Sequence, residues 1–263
     1  MKAIILAAGQ GTRLKKYTQD LPKGMLNFMG KTIIERQIEL YRRAGIFDII
    51  VIKGFAGDKI NYNGIKYYTN DDYATTNMVE SLLKANEEFD DDIVISYSDI
   101  LFDFEMLNNL IKNQSDYVVA VDDNWQEYWL HRYGKVDYDT ESLELDENGY
   151  ILSIGKENPK LEDIDSRYIG LLKFTVRGLK KIEEILSRDY LEYSDKPWKQ
   201  SGKTIRNAYM TDLIQAISES GEKVLAHSFN NGWIEFDTNE DYEKACDWAE
   251  NGVINKFLHD DLT

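Results

Sequence analysis

At 263 residues the chain has room for one large domain or two small ones, taking roughly 150 residues per domain, and either can bury a core of its own. Forty-seven acidic against 31 basic side chains leave a net charge of −16, which disfavours nucleic-acid and anionic-membrane partners unless a local basic pocket intervenes. No apolar run approaches the ~18 residues of a membrane span, and MKAIILAAGQG reaches glycine before a cleavable signal is complete, so a cytoplasmic enzyme is expected. Cys246 is the single cysteine, which excludes an intrachain disulfide and a cysteine-built zinc site.

Lys2 to Leu6 is a short, almost continuous apolar run, as in a strand buried on both faces of a parallel sheet. Ile34, Ile38 and Tyr41 then share one helical face, with Gly45 as the stop. Strands follow at Asp48 to Ile52 and Ile65 to Tyr68. A helix carries Val79, Leu82 and Leu83, with Asn77 and Glu80 in capping positions. Ile93 to Ser96 is a further buried strand that runs out at Tyr97-Ser98-Asp99, before a helix at Phe104 to Ile111 and a strand at Tyr117 to Val121. The pattern then shortens: Gly134 to Tyr138, Ser142 to Leu145 and Tyr150 to Ile154 read as a three-stranded meander, turned at Glu147-Asn148-Gly149. Helices are expected at Val176 to Leu186 and Met210 to Ile217, strands at Val224 to Ala226 and Trp233 to Phe236, and a last helix from Thr238 to about Glu250. Alternating strands and helices indicate an α/β fold.

The segment richest in chemistry follows the first strand: Leu6, Ala7, Ala8, Gly9, Gly11, Thr12 and Arg13, with Lys23 further on behind Pro22. Small residues there let the backbone approach a ligand, and successive N–H groups can hold phosphate oxygens while Arg13 and Lys23 add positive charge. The pattern is neither a P-loop, since GxxxxGK[ST] is absent, nor the dinucleotide fingerprint, because Leu14 occupies the place of its third glycine. An ordinary glycine turn with surface cations is the alternative; the combination of strand, LAAGQGTR and PK favours phosphate binding.

LAAGQGTRL and LPKGML, with Asn70 and the run Thr76-Asn77-Met78-Val79-Glu80-Ser81-Leu82, make the chain resemble the sugar-phosphate nucleotidyltransferases, and among them the short cytidylyltransferases similar to the CTP:phosphocholine enzymes. The resemblance runs from Met1 through the final helix and is weakest between Asn124 and Asp165. It implies a Rossmann-like nucleotidyltransferase fold: a mixed, mostly parallel central sheet flanked by helices, with a small inserted β-sheet at the acceptor site. A single domain would span 1–250, with 124–174 and 190–235 forming the acceptor-binding part and 251–263 a tail. The implied reaction moves a nucleotidyl group from an NTP to a phosphate monoester and releases pyrophosphate.

That chemistry gathers negative charge, so it calls for cations, and a magnesium ion held by one or two carboxylates is the natural one, with manganese as the substitute. Asp99 and Asp237 each stand just past a strand, where open α/β sheets place their ligands, and Ser98-Asp99 and Asp237-Thr238 match the family's two aspartate motifs. Each has an ordinary alternative, Asp99 as a loop carboxylate and Asp237 as a helix-terminal charge beside the Thr238 cap. Glu235 is a further candidate ligand or neighbour. The resemblance also implies that Lys156, after a strand, approaches the reacting phosphates alongside Arg13 and Lys23. No general base is needed, because a phosphate monoester is already largely dianionic at neutral pH. His131, His227 and His259 are scattered and form no zinc-like or triad-like spacing.

For the base, Thr76, Asn77 and Met78 are the candidates; Asn77 either hydrogen-bonds a pyrimidine edge or caps the following helix, and the resemblance favours CTP. For the acceptor, Trp129, Tyr168 and Trp233 offer aromatic faces and Asp212 a carboxylate, as a quaternary ammonium would require. Arg132 would instead suit a carboxylate, pointing to a phosphorylated amino acid. The expected partners are CTP and a small phosphorylated acceptor, in a monomer or homodimer. A sugar-1-phosphate nucleotidyltransferase using UTP, dTTP or CTP is the runner-up, and a non-catalytic nucleotide-binding module the rival of another class.

Overall fold

A computed structural model describes residues 1–260. The chain opens with strand β1 (Lys2–Ala7), the one-turn helix α1 (Lys15–Thr18), a hairpin of β2 (Asn27–Phe28) and β3 (Lys31–Thr32), and helix α2 (Ile33–Arg43). Then come β4 (Ile49–Lys53), β5 (Lys66–Thr69), α3 (Met78–Leu83), β6 (Ile93–Tyr97), β7 (Ile100–Phe102), α4 (Phe104–Lys112) and β8 (Tyr117–Asp122). The second half contains α5 (Trp125–Tyr133), β9 (Glu141–Leu145), β10 (Ile151–Glu157), β11 (Arg167–Phe174), α6 (Val176–Glu192), α7 (Met210–Glu219), β12 (Val224–Phe229), β13 (Trp233–Glu235) and α8 (Asn239–Asn251).

Seven strands form one sheet in the order β12-β8-β11-β6-β1-β4-β5, and every pairing is parallel except the two made by β11. The expected mixed, mostly parallel α/β sheet is therefore present. Side chains of β1 alternate between two cores, as the two-residue period of a strand demands. Ala3, Ile5 and Ala7 face α2, α4, α5 and α8, whereas Ile4 and Leu6 face α3, α6 and α7. β9 and β10 make a separate antiparallel pair, which is the expected small sheet with one strand fewer: Gly134 to Tyr138 is bent chain that pairs with nothing as a strand. The backbone reverses there because α5 ends at Gly134, in the left-handed conformation at φ 73°.

Besides the short α1, β2 and β3, three elements lie outside the sequence expectation. Helix α5 buries Trp125, Tyr128, Trp129 and Arg132, a stripe at helical spacing whose last member is charged. Strand β11 carries Gly170 at φ +85° and a register shift between Tyr168 and Leu172; a Cβ on Gly170 would lie 2.7 Å from the Tyr97 ring. The short β7 turns back from β6 to pair with β13. The segment expected as a tail is packed as far as Asp260: Ile254, Phe257 and Leu258 are buried, while residues 261–263 lie outside the described range. Among the described residues no helix is long and apolar enough to cross a membrane.

Candidate active site

The site forms at the carboxyl end of the central strands, where backbone directions diverge and leave a crevice. Gly11 begins it. Its φ of +64° is the left-handed conformation that glycine adopts freely, and a Cβ there would stand 2.4 Å from Cγ of Lys23. The bare backbone lets Lys23 lie across the loop, where its ammonium donates to Asp99 Oδ2 at 3.0 Å and to Asp237 Oδ1. Arg13 pairs with Asp237 through Nη2 and with Asp139 through Nη1 at 3.0 Å.

Asp99 and Asp237 are 138 positions apart in the chain and meet through the β7–β13 pairing: Glu235 registers against Ile100, and Phe236 N–H donates to Asp99 carbonyl at 2.9 Å. Asp237 is fixed again from behind. Its N–H donates to Asp241 at 3.2 Å, and Asp241 closes the capping box of α8 with Thr238. Burial and the neighbouring charge of Glu235 push the Asp237 carboxyl above its ordinary range, against the pull of Lys23. Burial also disfavours the Lys23 ammonium, but Asp99 and Asp237 more than offset it and hold the amine charged. Two carboxylates therefore converge on one cation. That hard-oxygen donor set suits a divalent ion that completes its sphere with phosphate and water; among the described residues no group of three His, Cys, Asp or Glu side chains is placed to hold a metal alone.

Two cavities meet at this floor. The smaller, about 260 Å³, is lined by Leu6, Ala8, Gly9, Gly11, Thr12, Arg13, Lys23, Thr76, Asn77, Met78 and Ser98 together with Tyr73, Ser81, Tyr97 and both aspartates. Of the residues proposed from sequence for the nucleotide, only Ala7 is absent from this lining; it is buried in β1 on the side of the first core. Asn77 caps α3 by accepting from Met78 N–H at 2.9 Å while still lining the cavity, and buried Asn70 steadies this segment by donating to Thr76 and Ser81. The larger cavity, about 540 Å³, shares Thr12, Arg13, Lys23, Met78, Tyr97, Asp99 and Asp237 with the smaller one and extends to Asp139, Glu141, Glu157, Asn158, Arg167 and Tyr168.

Among the residues put forward for the acceptor, Tyr168 and Trp233 line the larger cavity. Trp233 presents only part of itself, since it is 2% exposed and its indole N–H donates to Asp122 at 2.9 Å. Trp129, Arg132 and Asp212 are elsewhere. Trp129 is a core residue whose indole N–H donates to the Tyr138 carbonyl at 2.8 Å. Arg132 turns its guanidinium to both oxygens of Asp241, at 2.7 Å each, and to Glu235, and it is buried behind the cavity wall, away from a substrate carboxylate. Asp212 caps α7, accepting from Tyr209 N–H at 2.9 Å and from Ser201. Lys156 is exposed and lines neither cavity. A register shift between Ile154 and Glu157 turns Glu157 to the cavity instead, and neighbouring residues of a strand point to opposite faces. The three histidines stand outside both cavities.

The model of the MobA-like NTP transferase domain matches residues 3–153. The CTP:phosphoglutamine cytidylyltransferase of Campylobacter jejuni is 34% identical over 92% of this chain and 98% of its own length. The chain belongs to the MobA-like NTP transferase family. A choline-phosphate cytidylyltransferase of Streptococcus pneumoniae is 37% identical to this transferase over 58% of the chain and 68% of the relative. Among solved structures, the S. pneumoniae CTP:phosphocholine cytidylyltransferase superposes with a TM-score of 0.71 at 23% identity, covering 94% of this chain and 98% of that one. The inositol-1-phosphate CTP transferase of T. maritima gives 0.68 at 20% identity, over 98% and 97%. These two share the fold of this nucleotidyltransferase, the nucleotidyltransferase fold expected from sequence. The chain is thus an enzyme of the nucleotidyltransferase class, a class that works with a divalent metal.

Proposed function

We propose that the protein is a cytidylyltransferase that moves CMP from CTP to the phosphate of a small phosphorylated amine or amino acid, releasing pyrophosphate. The observation that carries this reading is the meeting of the two cavities over Arg13, Lys23, Asp99 and Asp237, which gives a donor and an acceptor separate chambers and one shared charged floor. The relatives that act on phosphoglutamine and choline-phosphate support the choice of CTP and of a small acceptor.

CTP enters the smaller chamber with its phosphates along the Gly9–Arg13 loop and its base toward Thr76, Asn77 and Met78. The acceptor phosphate lies in the larger chamber, facing the α-phosphorus. One of its oxygens forms the new P–O bond as the bond to the β-phosphate breaks, and the electron pair leaves with pyrophosphate. Lys23 and Arg13 stabilise the charge that builds on the transferring and leaving oxygens, in a setting where fixed cations need no reorganisation. Asp99 and Asp237 fit a magnesium ion, or manganese in its place, and that ion would neutralise phosphate charge and align the reacting groups.

The test is pyrophosphate release from CTP, UTP and dTTP with phosphocholine, phosphoethanolamine, phosphorylated amino acids and sugar phosphates, with and without magnesium. Metal-dependent release with CTP and a small amine or amino-acid phosphate is expected. Turnover confined to UTP or dTTP and a sugar phosphate would move the protein to the sugar branch, and silence with every pair would leave a nucleotide-binding module.

A further inference from the structure

In the larger cavity most charged groups already have partners. Asp139 is paired with Arg13 at 3.0 Å and Glu235 with Arg132. Lys23, Asp99 and Asp237 form the shared floor. Arg167 is the exception among the cations. It opens β11 and lines the cavity, yet among the described residues it has no carboxylate within ion-pair distance and its buried Nε has no hydrogen-bond partner. Its guanidinium instead lies over the Trp129 ring, 4.6 Å from the centroid, which holds the planar group in place without satisfying its donors. A guanidinium carries five N–H donors and no acceptor, so the group that completes it must be an anion or another acceptor supplied from the cavity.

Position tells which part of a substrate that is. Arg13, Lys23, Asp99 and Asp237 line both chambers and mark where phosphates react, whereas Arg167 lines only the larger one. We propose that Arg167 binds a carboxylate at the end of the acceptor remote from its phosphate, so that the acceptor is a phosphorylated amino acid rather than a phosphorylated amine. This rests on the cytidylyltransferase reading above. Glu141 and Glu157 line the same cavity and make no ion pair among the described residues, which leaves two carboxylates for the α-ammonium of a zwitterion. Burial keeps the Glu141 carboxyl above its ordinary range despite the pull of Arg167, and an incoming ammonium would relieve that cost. A quaternary ammonium fits less well. Arg167 adds to the cavity wall a positive charge that is unpaired among the described residues, which opposes a permanent cation, and of the aromatic residues there Trp233 is 2% exposed and offers little ring face.

The experiment compares acceptors that differ by one carboxylate: phosphoserine with phosphoethanolamine, and phosphoglutamine with its decarboxylated counterpart. Steady-state KM is measured for each in wild type, Arg167→Gln and Arg167→Lys, and binding is followed in parallel by the rise in melting temperature that each acceptor produces in the presence of CTP and magnesium. Wild type is expected to prefer the carboxylate-bearing member of a pair, and R167Q to reduce that preference by about 10- to 100-fold, the usual worth of hydrogen bonds to a charged group. R167K, which keeps the charge but loses the fork, should retain an intermediate preference and guards against a glutamine variant that folds poorly. A wild type that favours the decarboxylated member, or a preference unchanged in both variants, overturns the proposal. An equal loss for both members also overturns it and assigns Arg167 to the acceptor phosphate. If no CTP and acceptor pair turns over while carboxylate-bearing acceptors still raise the melting temperature in an Arg167-dependent way, it is the transfer reaction that fails and not the carboxylate site.

Discussion

Gly11 shows how one missing side chain assembles a charged site. Gly11→Ala forces a left-handed conformation on an L-residue and drives its methyl into Lys23, the residue that joins Asp99 to Asp237. We expect stability to fall by about 1–2 kcal/mol and kcat/KM for CTP to fall by about 10-fold or more, measured by urea denaturation and pyrophosphate release. Asp99→Asn keeps the shape of its side chain but removes the charge; it should leave the melting curve near wild type and cut turnover by about 100-fold or more, and near-normal rates would remove Asp99 from the reaction. Glu88 supplies a separate acid-side prediction. It is buried, which opposes ionisation, but Lys2, Lys66 and Tyr68 all bond its carboxylate and hold its pKa down at about 2. Its folded pKa lies below its unfolded one, so its contribution is complete above the ordinary glutamate range and is lost as pH falls toward about 2. Glu88→Gln should therefore lower Tm by about 2–6 °C at pH 7, with the gap to wild type closing on acidification.

At the scale of elements, the two aspartates are made one site by a short antiparallel pairing. β7 and β13 have three residues each, and β13 is braced on its far side by α5, where the Tyr128 hydroxyl accepts from Glu235 N–H at 3.0 Å and Arg132 clamps Glu235 and Asp241. Arg132 is 3% exposed, so Arg132→Ala leaves the buried Asp241 and the half-buried Glu235 without their cation. The expected cost is about 3–5 kcal/mol in urea denaturation, and a variant of wild-type stability with a raised acceptor KM alone would contradict this bracing role. The same elements explain what was legible in the sequence. The runs that form β1, β4, β6 and β8 are continuous and apolar because both faces are buried, and they read plainly as strands. Helix α5 has its buried positions at 125, 128, 129 and 132, but the last is an arginine whose neutralising partners lie more than a hundred residues away, so the stripe looks incomplete. β11 is masked by Arg167, Gly170 and a buried Lys173 within one strand, each explained only by tertiary partners. Resemblance puts Lys156 at the reacting phosphates, whereas past the register shift between Ile154 and Glu157 it is Glu157 that faces the cavity.

For the molecule as a whole, the net charge of −16 extends into the crevice, where Arg13, Lys23 and Arg167 face Asp99, Asp139, Glu141, Glu157, Glu235 and Asp237, so an anionic substrate there would need a divalent cation beside the fixed ones. The crevice was largely visible as motifs; the scaffold that closes behind it was not, because it is built by chain that carries no motif. Past α8 the backbone turns at Gly252 and returns over the first core, where Phe257 packs against Tyr128 at 5.2 Å between ring centroids and accepts from Gly232 N–H at 2.8 Å. His259 and Asp260 then donate their N–H groups to Asp103 at 2.9 Å, and Asp103 in turn donates to the Gly232 carbonyl at 2.8 Å. This terminal segment therefore holds both the turn that begins β13 and the tyrosine that bonds its backbone. Phe257 is fully buried, so Phe257→Ala should cost about 3–5 kcal/mol in urea denaturation through the cavity it leaves. Because the described contacts of Phe257 lead to the crevice through Tyr128 and the turn before β13, the variant that remains folded at low temperature should keep its KM for CTP within about threefold of wild type. A normal melting curve for this variant would show that the segment merely rests on the core, whereas a large rise in KM without loss of stability would make it part of the nucleotide site itself.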